Sequence, residues 1–136
     1  MGKFADQFRQ EVEAEFERIN NQILNMVVDT FNYAVKVSPI QPAAKFSKGE
    51  FINSWYPAIN GFDTTVSGAY DMTGSGSLSR ISGLLGSNAF LGKDAIVSLS
   101  NNVSYADKVE YHGWTRTGPY APIRQAINYY YATYNK

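Results

Sequence analysis

Between residues 4 and 35 the apolar side chains fall at a regular interval. Phe4, Phe8, Val12, Phe16, Ile19, Ile23, Val27, Phe31 and Ala34 recur every three or four positions, and Arg9, Glu11, Glu13, Glu15, Glu17 and Arg18 fill the intervals. That spacing predicts one amphipathic helix over 1–37, stopped by the Ser38-Pro39 step. Asn20-Asn21 is a soft spot, but the stripe keeps its register across it. A helix of about 30 residues is roughly 45 Å long, whereas a domain of this size has a radius of gyration of about 14 Å. The helix is expected to kink, or to have part of its stripe covered by a neighbouring copy.

The pattern weakens after residue 38. Residues 39–50 read as a connector, and Phe51 and Trp55 suggest one helical turn closed off by Pro57. A strand is expected near 57–68. Residues 60–77 are rich in Gly, Ser, Thr and Asp and read as a loop. Leu78, Ile81, Leu84 and Leu85 have helical spacing, with Ser77 or Ser79 as a cap and Gly92 as the stop. Residues 94–101 read as a strand with Ala95, Val97 and Leu99 on one face, and 104–111 as a short helix with a glycine exit. A last helix follows Pro119 and Pro122 and places Ile123, Ala126, Ile127, Tyr130 and Tyr134 on one face. The expected fold class is α+β, a long N-terminal helix and shorter helices packed on a small, mainly antiparallel twisted sheet. Residues 1–136 are expected to form a single domain, with 38–136 carrying the sheet, the loop and the C-terminal helix.

Composition narrows the function. Lys plus Arg number 12, and so do Asp plus Glu, so the chain lacks the basic excess of proteins that wrap nucleic acid. There is no cysteine, hence no disulfide and no thiolate chemistry. No run approaches the roughly 20 apolar residues of a membrane span, and the start MGKFADQFRQ lacks a signal-peptide core. His112 is the single histidine; it sits beside Gly113, and no G-x-S-x-G elbow accompanies it. One His without Cys does not make a zinc site. Asp63, Asp71, Asp94 and Asp107 do not follow a calcium-loop spacing, no pair of carboxylates stands out, and neither Gly-Lys pair continues into a P-loop. The expectation is a non-enzyme without cofactor or metal. Ten Tyr, eight Phe and two Trp exceed what one core absorbs. Tyrosine is favoured where proteins meet proteins, and an aromatic platform for a sugar or peptide would use the same residues.

The segment SNNVSYADKVEYHGW (100–114) concentrates polar and aromatic side chains. Together with GEFINSW (49–55), GSGSLSRI (74–81) and APIRQAI (121–127), it resembles the tail-completion or head–tail joining proteins of long-tailed bacteriophages. Trp55 fits that family's first motif. Asn101, Asn102, Tyr105, Ala106, Val109 and Glu110 fit the central one, and Arg124 the last. Glu50 stands where the family often has Arg, His112 reads as an insertion before Gly113, and Ala-Pro is shifted relative to Arg124. The resemblance implies a structural virion protein at the neck or tail top, assembled in the host cytoplasm. It would form a ring, commonly a hexamer, that caps the tail tube and docks onto the head connector. DNA would pass through the lumen without sequence-specific reading, and no membrane would be involved. The residues expected to form the motif or its interface are Trp55, Asn101, Asn102, Tyr105, Ala106, Glu110, Tyr111, Gly113, Trp114 and Arg124. A tail terminator, a connector adaptor of twelve copies, and a small Tyr/Trp-rich sugar- or peptide-binding module are the alternatives.

Overall fold

A computed structural model describes residues 2–66, 68–86, 95–114 and 118–134. The elements run α1 (Gly2–Lys36), β1 (Trp55–Ile59), α2 (Ser75–Leu85), β2 (Val97–Asn101) and α3 (Pro122–Tyr134), with a π-helical turn, Lys108–His112, between β2 and α3. The class is α+β, as the sequence predicts. β1 and β2 pair antiparallel with Trp55 opposite Asn101, Pro57 opposite Leu99 and Ile59 opposite Val97. With only two strands each has an open edge, and β1 therefore tolerates Pro57, which has no N–H to contribute to a ladder.

The core gathers Val35, Phe51, Ile52, Trp55, Ile81, Leu85, Val103, Tyr105 and Val109, and Leu24, Val27, Val28 and Phe31 of α1 pack against it. Only the C-terminal third of α1 is thus clamped to the body. The preceding stripe has no cover: Phe4 is 79% exposed, Phe8 61% and Phe16 62%, whereas Val35 is 1% exposed. The helix remains continuous through Asn20-Asn21.

Three expectations need correction. The first strand is Trp55–Ile59, not 57–68. Trp55 and Phe51 are buried with their rings edge to face at 5.6 Å, and Trp55 opens the strand because its indole N–H is bonded to Ser38 Oγ at 2.9 Å. α2 begins at Ser75, so the loop ends before residue 77. Asp71 starts it: its carboxylate accepts from the Thr73 amide at 2.9 Å and hydroxyl at 2.6 Å and from the Ser75 hydroxyl. Gly74, at φ 70, then turns the chain into the helix against Ile52 and Val35. The helix stops at Leu85 with Gly86 as its C-cap, short of the expected stop at Gly92, which lies outside the described residues. Finally, on α3 the expected face is split: Ala126 is buried, whereas Ile123 and Ile127 are exposed. This helix turns Ala126 and Tyr129 inward, and Tyr129 stacks on Tyr33 of α1 with centroids 4.1 Å apart.

Candidate functional site

The segment 101–114 holds three parts of the chain together. At the end of β2 the ladder stops, and side-chain amides replace it. Asn101 Nδ2 donates to the Phe51 carbonyl at 2.9 Å, and Asn102 Nδ2 donates to the Asp63 carbonyl at 2.7 Å. The first ties β2 to the turn before β1; the second ties it to the loop that leaves β1. Tyr105 follows, its ring stacked on Phe46 at 3.8 Å and its hydroxyl donating to Glu50 Oε1 at 2.7 Å. Burial, then the Glu50 carboxylate, push the Tyr105 phenol well above its ordinary pKa, so it stays a donor.

The π-helical turn sets up the last connection. Its wide turn closes with the Gly113 amide donating to the Lys108 carbonyl at 2.7 Å, and the chain leaves at Gly113 with φ 72. The Val109 carbonyl is then available to the amides of Tyr120 and Ala121, at 2.9 and 3.1 Å. The next side chain, Glu110, is 5% exposed and accepts from the Ile123 amide at 2.8 Å and the Arg124 amide at 3.3 Å. It thereby caps the first turn of α3, where Ala121 and Pro122 offer no side-chain acceptor. A carboxylate at a helix N-terminus is also favoured by the dipole.

The structure brings Trp55, Asn101, Ala106, Glu110 and Tyr111 to the wall of one small open concavity of about 120 Å³, with Asp107 and Ile123 beside them. Asn102, Tyr105, Gly113, Trp114 and Arg124 are not part of that wall. Tyr105 lies in the core, Trp114 is half-buried with its ring edge-on to Phe46, and Arg124 is exposed on α3. Tyr111 is exposed, as is His112. Asp63 and Asp71 bond within their own turns, their pKa values lowered chiefly by Thr65 and Ser75 respectively. Among the described residues no cluster of His, Asp and Glu is placed to hold a metal ion. No described helix is long and apolar enough to cross a membrane.

Sequence reasoning missed the residues that seat α2 on this frame. Ser77 Oγ accepts from the Trp55 amide at 3.0 Å and donates to the Ile52 carbonyl at 2.8 Å. Arg80, one turn later, donates through Nε to the Trp55 carbonyl at 3.0 Å and lies 4.0 Å over the Tyr56 ring. Their spacing of three on one helix face was the available signal, hidden by the loop-like composition around it. Gly49, which opens the first motif, has φ 84, and its carbonyl accepts from Asn53 and Asp71. A Cβ there would stand 2.5 Å from the Asp71 carbonyl carbon, so this turn requires glycine.

No family model, no curated protein and no solved structure matches the chain.

Proposed function

We propose that this chain is a structural protein of a bacteriophage virion, forming a ring at the head–tail junction that caps the tail tube and docks it to the head connector. One observation carries the reading. Large apolar side chains on α1 and α3 lie uncovered, while the frame beneath them is held by specific hydrogen bonds. Phe4, Phe8, Phe16, Ile19 and Ile23 on α1, and Ile123, Ile127 and Tyr131 on α3, are all exposed. Uncovered apolar surface on this scale marks association. The motif supports the reading from a second direction. Asn101, Asn102, Tyr105 and Glu110 spend their polar atoms on joining β1, β2 and α3, so their role here is to set the angle between surfaces. The residues proposed to face neighbours are Tyr111, Trp114 and Arg124.

The test is loss of the gene in the phage that carries it. Expected are DNA-filled heads and free tails that join when purified protein is added back. Normally joined particles, or purified virions lacking the chain, would reject the reading. Copy number in a particle reconstruction separates a sixfold ring from a twelve-copy adaptor.

A further inference from the structure

The uncovered stripe of α1 and a separate apolar groove on the body fit each other. The groove lies where α1, β2 and α3 meet, lined by Phe31, Ala34, Val97, Leu99, Ile123 and Ile127, and holds about 160 Å³. An apolar cavity of about 150 Å³ accepts a benzene-sized ring. The stripe offers three such rings, Phe4, Phe8 and Phe16, all more than half exposed. We propose that residues 4–16 of one copy lie across this groove of a second copy, with a phenyl ring seated in it. This deepens the oligomer part of the reading above and relies on it for closure into a ring, but it does not need the virion role.

Four considerations favour this occupant. The first is reach. The twenty residues from 4 to 23 extend about 29 Å beyond the clamped part of α1, twice the radius of gyration of a body of this size. The second is area. The four stripe residues of the 4–16 segment, Phe4, Phe8, Val12 and Phe16, present roughly 450 Å² of apolar surface, more than half of the ~800 Å² that each partner contributes to a stable interface, and Gln7 and Glu11 flank them.

The third is charge. Residues 2–23 carry three basic residues (Lys3, Arg9, Arg18) against five acidic ones (Asp6, Glu11, Glu13, Glu15, Glu17). The whole chain has 12 of each, so the rest carries nine basic against seven acidic residues. An acidic arm is drawn to a basic body and repelled by another arm. Arg124, adjacent to Ile123 of the groove, is exposed.

The fourth is periodicity. The stripe steps 4-4-4-3 from Phe4 to Ile19 and repeats the same steps from Ile19 to Ala34, thirty residues in eight steps and a mean of 3.75. A left-handed coiled coil needs 3.5. Two α1 arms therefore do not share a common seam of that kind, whereas a short stretch laid across a globular surface needs none. Arm and groove are different surfaces, so the contact is heterologous and closes only as a ring, or else runs on as a filament.

The chain has no cysteine, so introduced ones react only with each other. Three full-length single variants, Phe4→Cys, Phe8→Cys and Phe16→Cys, are each mixed with Ile127→Cys and oxidised mildly. At least one mixture should give a mixed disulfide-linked dimer in high yield. In sedimentation at about 100 µM the unmodified chain should be oligomeric. Phe8→Glu combined with Phe16→Glu should reduce it to monomer with the unfolding midpoint unchanged, since both residues lie outside the core. A monomeric unmodified chain, or no mixed dimer from any arm position, overturns the proposal. So does efficient self-linking of Phe8→Cys alone, which would mean arm-to-arm pairing. Absence from virions with the mixed dimer intact would sink the proposed function and leave this contact standing.

Discussion

α1 contains two regions with one pattern and opposite surroundings. From Leu24 to Val35 the stripe rests on the core, with Ala34 and Val35 buried; from Phe4 to Ile23 the same spacing of apolar residues meets solvent. Amphipathicity reports that a face is covered in the working molecule and does not name what covers it. A free helix of this kind also gains nothing from its phenyl rings, which in a core would each be worth a few kcal/mol.

The sharpest way to break this comparison is to remove a phenyl ring from the arm and, separately, from the core on which the clamped region rests. Phe51→Ala in the core should cost about 3–5 kcal/mol in denaturant unfolding, whereas Phe8→Ala, measured at a concentration where the chain is monomeric, should stay within about 0.5 kcal/mol. A large loss from Phe8→Ala under those conditions would mean the arm folds back on its own body. Next in size is the cap on α3. Glu110→Ala leaves the Ile123 and Arg124 amides without their acceptor and should cost about 0.5–2 kcal/mol. Faster hydrogen exchange at Ile123 and Arg124 would locate the damage, and unchanged exchange there would separate Glu110 from the cap.

A smaller effect belongs to the far end of α3. Tyr129 and Tyr134 both donate to Asp29 Oδ2, Tyr129 at 2.6 Å, and this bond is the main cause that raises both phenols, Tyr134 to about 12. A raised folded pKa contributes fully below the ordinary phenol value near 10 and is lost as the pH climbs to the folded one. The end of α3 should therefore loosen from α1 between about pH 10 and 12. Phenolate absorbance should show three tyrosines titrating late in the unmodified chain, Tyr105 among them, and in Asp29→Asn Tyr129 and Tyr134 should return toward the ordinary pH while Tyr105 stays late. The smallest change is expected on the arm itself. The Glu15–Arg18 pair is exposed and screened by solvent, so Arg18→Ala should barely shift the unfolding midpoint.

How much of this was legible depends on how many residues share a signal. α1 was readable because nine stripe residues agree over thirty positions. The polar motif stood out as a concentration of polar and aromatic side chains, but nothing in it named Phe51, Asp63 or the first turn of α3 as what those side chains bind. α2 was placed late because three residues upstream of the apolar run, Asp71, Thr73 and Ser75, look like loop and act as its entry. The face expected for α3 included the buried Ala126 but not Tyr129, because Tyr129, Tyr130, Tyr131 and Tyr134 leave the spacing no means to choose among the rings. What selects Ala126 and Tyr129 is the Tyr33 ring and the Asp29 carboxylate a hundred residues away in the chain. The groove was invisible for the same reason, since its lining comes from three separated segments.

The clamp at the base of α1 has a mechanical consequence. A straight rod fixed at one end converts small rotations into large displacements: tilting α1 by 10° about its clamped turns moves Phe4 about 5 Å. Small adjustments where the rod leaves the body thus decide where its far end lands. The stacked Tyr33–Tyr129 rings, which brace that same base, act as a bearing for whatever load the free end takes up.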